Sequence, residues 1–222
     1  MDINGVLIID KPTDWTSHDV VAKLRGALRI KRIGHGGTLD PMATGVLPIF
    51  IGQATQRSST STDADKEYIA GIKFGVVTDT QDITGKVLSE NDASVTAQEL
   101  KAIIPRFTGP QKQIPPMYSA KKQGGKKLYE LARKNIEVER EPREIEIKEF
   151  ELLGDNLFRI KCSKGTYVRT LCHDIGTALG CGAAMSSLRR TMSGIYRIED
   201  AVTLENALDL ISKGEIEKCL IK

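Results

Sequence analysis

Gly34-His35-Gly36-Gly37-Thr38-Leu39-Asp40-Pro41-Met42-Ala43-Thr44-Gly45-Val46-Leu47-Pro48 is the most informative stretch of this chain. It reads as a glycine-hinged loop that holds one carboxylate between apolar neighbours and then enters a buried strand over residues 46–51. Two readings fit. Gly, Asp and Pro are ordinary turn residues, so an Asp-Pro turn accounts for the pattern. A presented, reactive aspartate accounts for it equally. Gly36 and Gly37 remove Cβ atoms where a substrate backbone could approach, and Pro41 biases Asp40 towards an extended geometry.

Upstream of this loop, the apolar run at residues 6–9, closed by Asp10-Lys11-Pro12, predicts a buried strand and a turn. Lys11 and Pro12 read as holding that turn. Thr16 and Asp19 form a capping-box pattern ahead of Val20, Val21, Leu24 and Leu28, an amphipathic helix with Lys23 and Arg25 on its outer face.

Downstream, the polar residues 58–62 read as a loop, and residues 68–75 as a strand. Asp79 and Asp82 sit in Thr78-Asp79-Thr80-Gln81-Asp82-Ile83-Thr84-Gly85. They could be acid/base or metal carboxylates, but a turn in which they accept local backbone N–H groups is the preferred reading. Thr96 and Glu99 cap a second helix that ends near Pro105. Residues 144–152 and 156–163 flank Gly154-Asp155 as an antiparallel hairpin. Lys164-Gly165-Thr166 opens a helix over residues 167–179 that stops at Gly180, so Tyr167 and Arg169 fall in its first turn, where backbone N–H groups can face anions. Thr203 starts the last helix.

The 222 residues suit one domain, expected over residues 1–222. A net charge of +3 neither demands nor excludes nucleic acid. Local patterning says more. Residues 121–134 carry six basic residues against Glu130, and residues 23–32 carry five with no acid. Such runs are commonly solvated faces, yet with Tyr118, Tyr129 and glycines interleaved they also fit a surface that tracks phosphates. The stretch around residues 112–142 reads as a projecting cationic insertion.

Cys162, Cys172, Cys181 and Cys219 make no C-x-x-C pair, which favours reduced thiols. His173 beside Cys172 completes no ligand cluster, so no metal is expected. With no leader-like segment and no long apolar run, a cytoplasmic protein with no membrane partner is expected. Walker, G-x-G-x-x-G, H-E-x-x-H and G-x-S-x-G patterns are missing, which argues against nucleotide, dinucleotide, zinc-protease and serine-hydrolase chemistry. An aspartate can serve instead as a covalent nucleophile if it stays ionised in a partly dry site. A nearby arginine would keep it so, and Arg169 is the candidate.

Several segments then form one ordered set. They are Gly5-Val6-Leu7-x-x-Asp10-Lys11-Pro12 with Thr16-Ser17, the Gly34–Gly45 loop, Lys66-x-Tyr68, Thr78–Gly85, Pro116-Met117-Tyr118-Ser119-Ala120-x-Lys122, Cys162–Arg169, and Leu188-Arg189-Arg190. The set resembles the TruB family of transfer-RNA pseudouridine synthases. The resemblance implies an α/β (α+β) pseudouridine-synthase fold, with a central, mixed but mainly antiparallel sheet flanked by helices. It implies isomerisation of the T-loop uridine at position 55 of transfer RNA, without metal, nucleotide or redox cofactor, by a protein expected to be monomeric.

Under the same resemblance, Asp40 is the nucleophile, though whether it attacks base or ribose stays open. Tyr68 stacks on the uracil close enough to join proton transfer, Arg169 pairs with Asp40, and Tyr167 and Leu188 line the pocket. His35 helps hold the T-loop once its uridine is flipped out, as chemistry on a base requires. Lys121, Lys122, Lys126 and Lys127 are the expected RNA-binding residues. Asp14 replaces a glycine often found in the family's opening motif, which puts that turn in question. The carboxy-terminal PUA domain of many relatives is expected to be lacking.

Overall fold

Val6, Leu7, Ile8 and Ile9 are at most 1% exposed, so the first apolar run is a strand buried on both faces. The computed structural model describes residues 3–119, 121–134 and 136–221; the side chains of Lys122, Gln123, Lys126 and Lys127 lie outside that description. The chain opens with β1 (Gly5–Lys11), α1 (Ser17–Leu28), β2 (Ile33–His35), β3 (Thr44–Ile51), α2 (Ser58–Asp63) and β4 (Lys66–Phe74). There follow β5 (Val76–Thr78), β6 (Val87–Glu90), α3 (Ala97–Ile103), β7 (Gly109–Gln113), β8 (Lys122–Gln123), β9 (Lys126–Lys127), α4 (Leu128–Ala132), β10 (Arg143–Gly154), β11 (Leu157–Cys162) and α5 (Val168–Ala178). It closes with β12 (Ala183–Ser193), β13 (Tyr196–Arg197), β14 (Val202–Thr203), α6 (Leu204–Ser212) and β15 (Leu220–Ile221). Among the described residues, no helix is long and apolar enough to cross a membrane.

The fold is α/β, with mixed but mostly antiparallel pairing and flanking helices. It divides into two compact units, one of Met1–Ile69 with Leu188–Lys222, the other of Ala70–Ser187. In the first, the strand order is β14-β1-β3-β12. β1 runs antiparallel to β3, while β1–β14 and β3–β12 are parallel. Strand alternation sends Leu7, Ile9, Leu47, Ile49 and Ile51 against Val20, Val21 and Leu24 of α1 and against Leu204 and Ala207 of α6. Val6, Ile8, Val46 and Phe50 form a second cluster with Tyr196. In the other unit, the later part of β4 leads the order β4-β11-β10-β7, and β10 pairs antiparallel with both neighbours. The β10–β11 turn is Asp155-Asn156, at φ 46° and 61°, left-handed values that Asp and Asn tolerate.

Both predicted capping boxes form: Thr16 with Asp19 on α1, and Thr96 with Glu99 on α3. One element expectation changes. Residues 58–62 are not a loop but the greater part of α2. Lys66 explains why: its buried Nζ donates to the carbonyls of Ser61, Thr62 and Ala64 at 3.2, 2.5 and 2.6 Å, capping a helix end that would otherwise leave acceptors unpaired. Strand β12 carries no strong strand signal in Ala183-Ala184-Met185-Ser186-Ser187, because tertiary pairing overrides weak propensity there.

Candidate active site

Asp40 is half-buried in a turn of the first unit, its carbonyl accepting from the Ala43 N–H at 3.0 Å, with Pro41 in the position such turns favour. Its neighbours are fixed on both sides. Ser17, in the first turn of α1, accepts from the Leu39 N–H at 2.8 Å and donates to the Leu39 carbonyl at 3.2 Å. Pro41 offers its carbonyl to Lys11 Nζ at 3.1 Å and to the Asp14 N–H at 2.9 Å. Lys11 is 0% exposed, and its ammonium also donates to Pro12 and Trp15 carbonyls at 2.8 and 2.6 Å. Burial lowers its pKa to about 8, opposed chiefly by the negative charge of Asp40. Lys11 therefore holds the turn, as the sequence suggests, and ties it to the aspartate loop.

The doubt over Asp14 resolves physically. It sits at φ 63°, the conformation for which glycine is the easy choice and which Asp can adopt. The two loop glycines differ. At Gly36 a Cβ would lie 2.5 Å from Ser61 Oγ and 2.7 Å from Phe50, so the missing side chain makes room for the protein itself, not for a substrate. At Gly37 a Cβ would only touch Arg190 Nη1, at 3.8 Å, and φ of 122° is the demand for glycine.

His35 ends β2 and accepts from the Gly37 N–H through Nδ1 at 3.3 Å. Burial, followed by the positive charges of Arg190 and His18, holds its pKa below the ordinary value. The neutral ring thus carries its proton on Nε2. Tyr68 and Leu188 are each 8% exposed in the same unit. Arg190, fully buried on β12, donates to the carbonyls of Val46 (2.7 Å), Gly37 (3.2 Å) and Thr38 (3.4 Å), and interacts electrostatically with the Tyr68 side chain.

In the second unit, Tyr167 is the N-cap of α5. Its backbone is held at both ends by the buried amide of Gln113, which accepts from its N–H at 2.8 Å and donates to its carbonyl at 3.1 Å. The Tyr167 N–H is thus engaged within the protein, contrary to the expectation that it would face an anion. Arg169, 5% exposed, donates to the carbonyls of Thr80 at 3.0 Å and Tyr118 at 2.9 Å and lies 3.8 Å from Asp82.

The two aspartates behave as the turn reading predicts. Asp82 accepts from the Thr84 N–H and Asp79 from the Lys86 N–H, at 3.0 and 2.8 Å. Tyr118 donates to Asp79 at 3.3 Å, and its phenol pKa is raised by burial and then by that carboxylate. Lys121 is half-buried, with its carbonyl accepting from Leu128 N–H at 2.9 Å. The side chains expected to bind RNA at Lys122, Lys126 and Lys127 lie outside the described residues.

Residues 25–168 match the TruB family pseudouridylate synthase N-terminal domain, and residues 169–221 match the tRNA pseudouridylate synthase B C-terminal domain. The chain belongs to the TruB family. It is accordingly a pseudouridine synthase, an isomerase. A relative from Opitutus terrae, named tRNA pseudouridine synthase B, is 52% identical over 99% of this chain and 93% of its own length. One of the same name from Clostridium tetani is 51% identical over 99% and 76%. Among solved structures, a chain of a Cbf5-Nop10-Gar1 complex superposes with a TM-score of 0.78 at 32% identity, covering 98% of this chain. Another, from an H/ACA RNP bound to a substrate RNA containing 2′-deoxyuridine, gives 0.73 at 30% over 97%. This TruB-family chain spans 59% and 58% of those two chains.

Sequence reasoning assigned no role to three residues that hold the site's backbone: Ser17 and Arg190, which stand in the motif set, and Gln113. Arg190 alone left a usable signal. It stands two positions after Leu188, so on a strand the two share a face.

Proposed function

We propose that this chain converts the T-loop uridine at position 55 of transfer RNA to pseudouridine, with Asp40 as nucleophile. The observation that carries this reading is the hydrogen-bonded scaffold on both sides of Asp40, in a chain whose relatives are named tRNA pseudouridine synthase B. Ser17, Lys11 and Arg190 fix the backbone next to the carboxylate, so the attacking group meets the substrate with little reorganisation.

The uridine is first turned out of the loop, since its C1′ and C5 are inaccessible within the folded RNA. His35, neutral and donating from Nε2, helps hold the opened loop. Asp40 then assists rupture of the N1–C1′ bond, the uracil turns, C5 bonds to C1′, and the proton on C5 departs while N1 takes one up. The product is an isomer of the substrate, with every heavy atom of the uracil kept on the RNA, so no cofactor is called for. Tyr68 stacks on the base and takes part in that proton transfer, Arg169 pairs with Asp40 and keeps it ionised, and Tyr167 and Leu188 line the pocket.

Lys121, Lys122, Lys126 and Lys127 grip phosphates from the insertion around residues 112–142. The enzyme works as a cytoplasmic monomer, with residues 1–222 as its catalytic domain.

Incubation with a T-arm stem-loop followed by nuclease digestion is expected to yield pseudouridine. Unchanged uridine after treatment with folded protein contradicts the reading, and release of free uracil would reassign the chemistry to glycosidic cleavage.

A further inference from the structure

We propose that Arg190 is a positioning residue that sets the distance between Asp40 and Tyr68, through one guanidinium shared by the aspartate loop and the tyrosine hydroxyl. The inference rests on the catalytic roles given to Asp40 and Tyr68 above.

A buried cation is costly unless its donors are matched, and Arg offers five in a rigid fork. Arg190 is 1% exposed, and its fork is filled from one side of the site to the other. Nη2 and Nη1 donate to Gly37 and Thr38, the carbonyls just before Leu39 and Asp40, at 3.2 and 3.4 Å. Nε donates to Val46 on β3 at 2.7 Å. The Tyr68 side chain on β4 interacts electrostatically with the same guanidinium.

The anchor is stiff as well as charged. A Cβ at Gly45 would stand 2.2 Å from the Arg190 carbonyl and 2.8 Å from its nitrogen, so β3 and β12 touch backbone to backbone where Arg190 pairs with Gly45. Asp40 reaches the site on a loop and Tyr68 on a strand, and this guanidinium bonds to the first and interacts with the side chain of the second. Its charge also reaches His35 and Lys11, disfavouring a second cation at either.

Catalytic groups must be held to within about 0.5 Å, and a misplacement of about 1 Å can cost about 100-fold in rate. Lysine would keep the charge but, as a point donor on a flexible stem, could not span the loop carbonyls and the phenol together.

Arg190→Lys should lower kcat on a T-arm stem-loop about 100-fold, per RNA-binding-competent protein, with KM within about threefold of wild type. A merely structural role would reduce the competent fraction and the melting temperature but not the turnover of what remains folded. Adding Arg190→Lys to Tyr68→Phe should cost much less than adding it to wild type, because the two variants break the same link.

A kcat within threefold of wild type, a loss confined to KM, or full additivity with Tyr68→Phe overturns the assignment. Should Arg190→Lys not fold, nitrogen-15 spectra of the wild type decide. The Arg190 Nε–H is expected to exchange slowly, and its guanidinium signals to shift in Tyr68→Phe; fast exchange or unshifted signals overturn the link. Wild-type protein that leaves the RNA unconverted overturns the function proposed above and this role with it. Active wild type with an indifferent Arg190→Lys overturns this role alone.

Discussion

Lys11 and Arg190 hold carbonyls on opposite sides of Asp40, and Lys11 makes its part testable by pH. Its ammonium is lowered to about 8 in the folded protein, against an ordinary 10.5. Between these values the unfolded chain binds a proton that the folded chain does not, so stability attributable to Lys11 rises with pH across that window. Below pH 8 both states are protonated and the cost of burying the charge is fully present. Denaturant titrations of wild type and Lys11→Met should therefore diverge in favour of wild type from pH 7.5 to 10.5, by on the order of 3 kcal/mol. Parallel curves would show that the buried ammonium is not shifted. The role of Lys11 as a turn holder could be read from Asp10-Lys11-Pro12, whereas its bond to Pro41 joins residues distant in sequence and could not. The acceptors of Arg190 were hidden for the same reason: they are backbone carbonyls, which leave no side-chain signature.

Elements whose signals are local were legible. Thr16 with Asp19, Thr96 with Glu99 and the apolar run of β1 each carry the chemistry of their own structure in consecutive residues. α2 and β12 do not, because a cap from Lys66 and pairing with β3 create them. Gly45 and Gly109 separate local from tertiary demand. Their φ values are alike, 102° and 97°, but a Cβ at Gly45 would strike the Arg190 backbone while that at Gly109 meets nothing within 4 Å. Gly109→Ala should cost about 1–2 kcal/mol of conformational strain, and Gly45→Ala a further 1–3 kcal/mol or so from the clash. Equal losses in thermal unfolding would mean that β3 and β12 do not approach as closely as described.

Across the whole molecule, the expected site residues are divided between two compact units: His35, Asp40, Tyr68 and Leu188 in one, Tyr167, Arg169 and the basic segment in the other. The ordered motifs named the family from sequence and supplied the proposed site residues. The interleaving of the units, with both ends of the chain in the first, follows from strand pairing between distant segments and has no signature in composition. If the basic segment grips phosphates, T-arm affinity should fall with salt. Lys126→Ala with Lys127→Ala should then flatten the log–log slope by roughly one to two. An unchanged slope would return these lysines to an ordinary solvated face.

The central claim is that Asp40 performs the isomerisation, and one variant tests it most directly. Asp40→Asn should bind a T-arm stem-loop with wild-type affinity, within about threefold, and form no pseudouridine detectable by mass spectrometry of the digested RNA after chemical labelling. Conversion by Asp40→Asn at the wild-type rate would contradict the account.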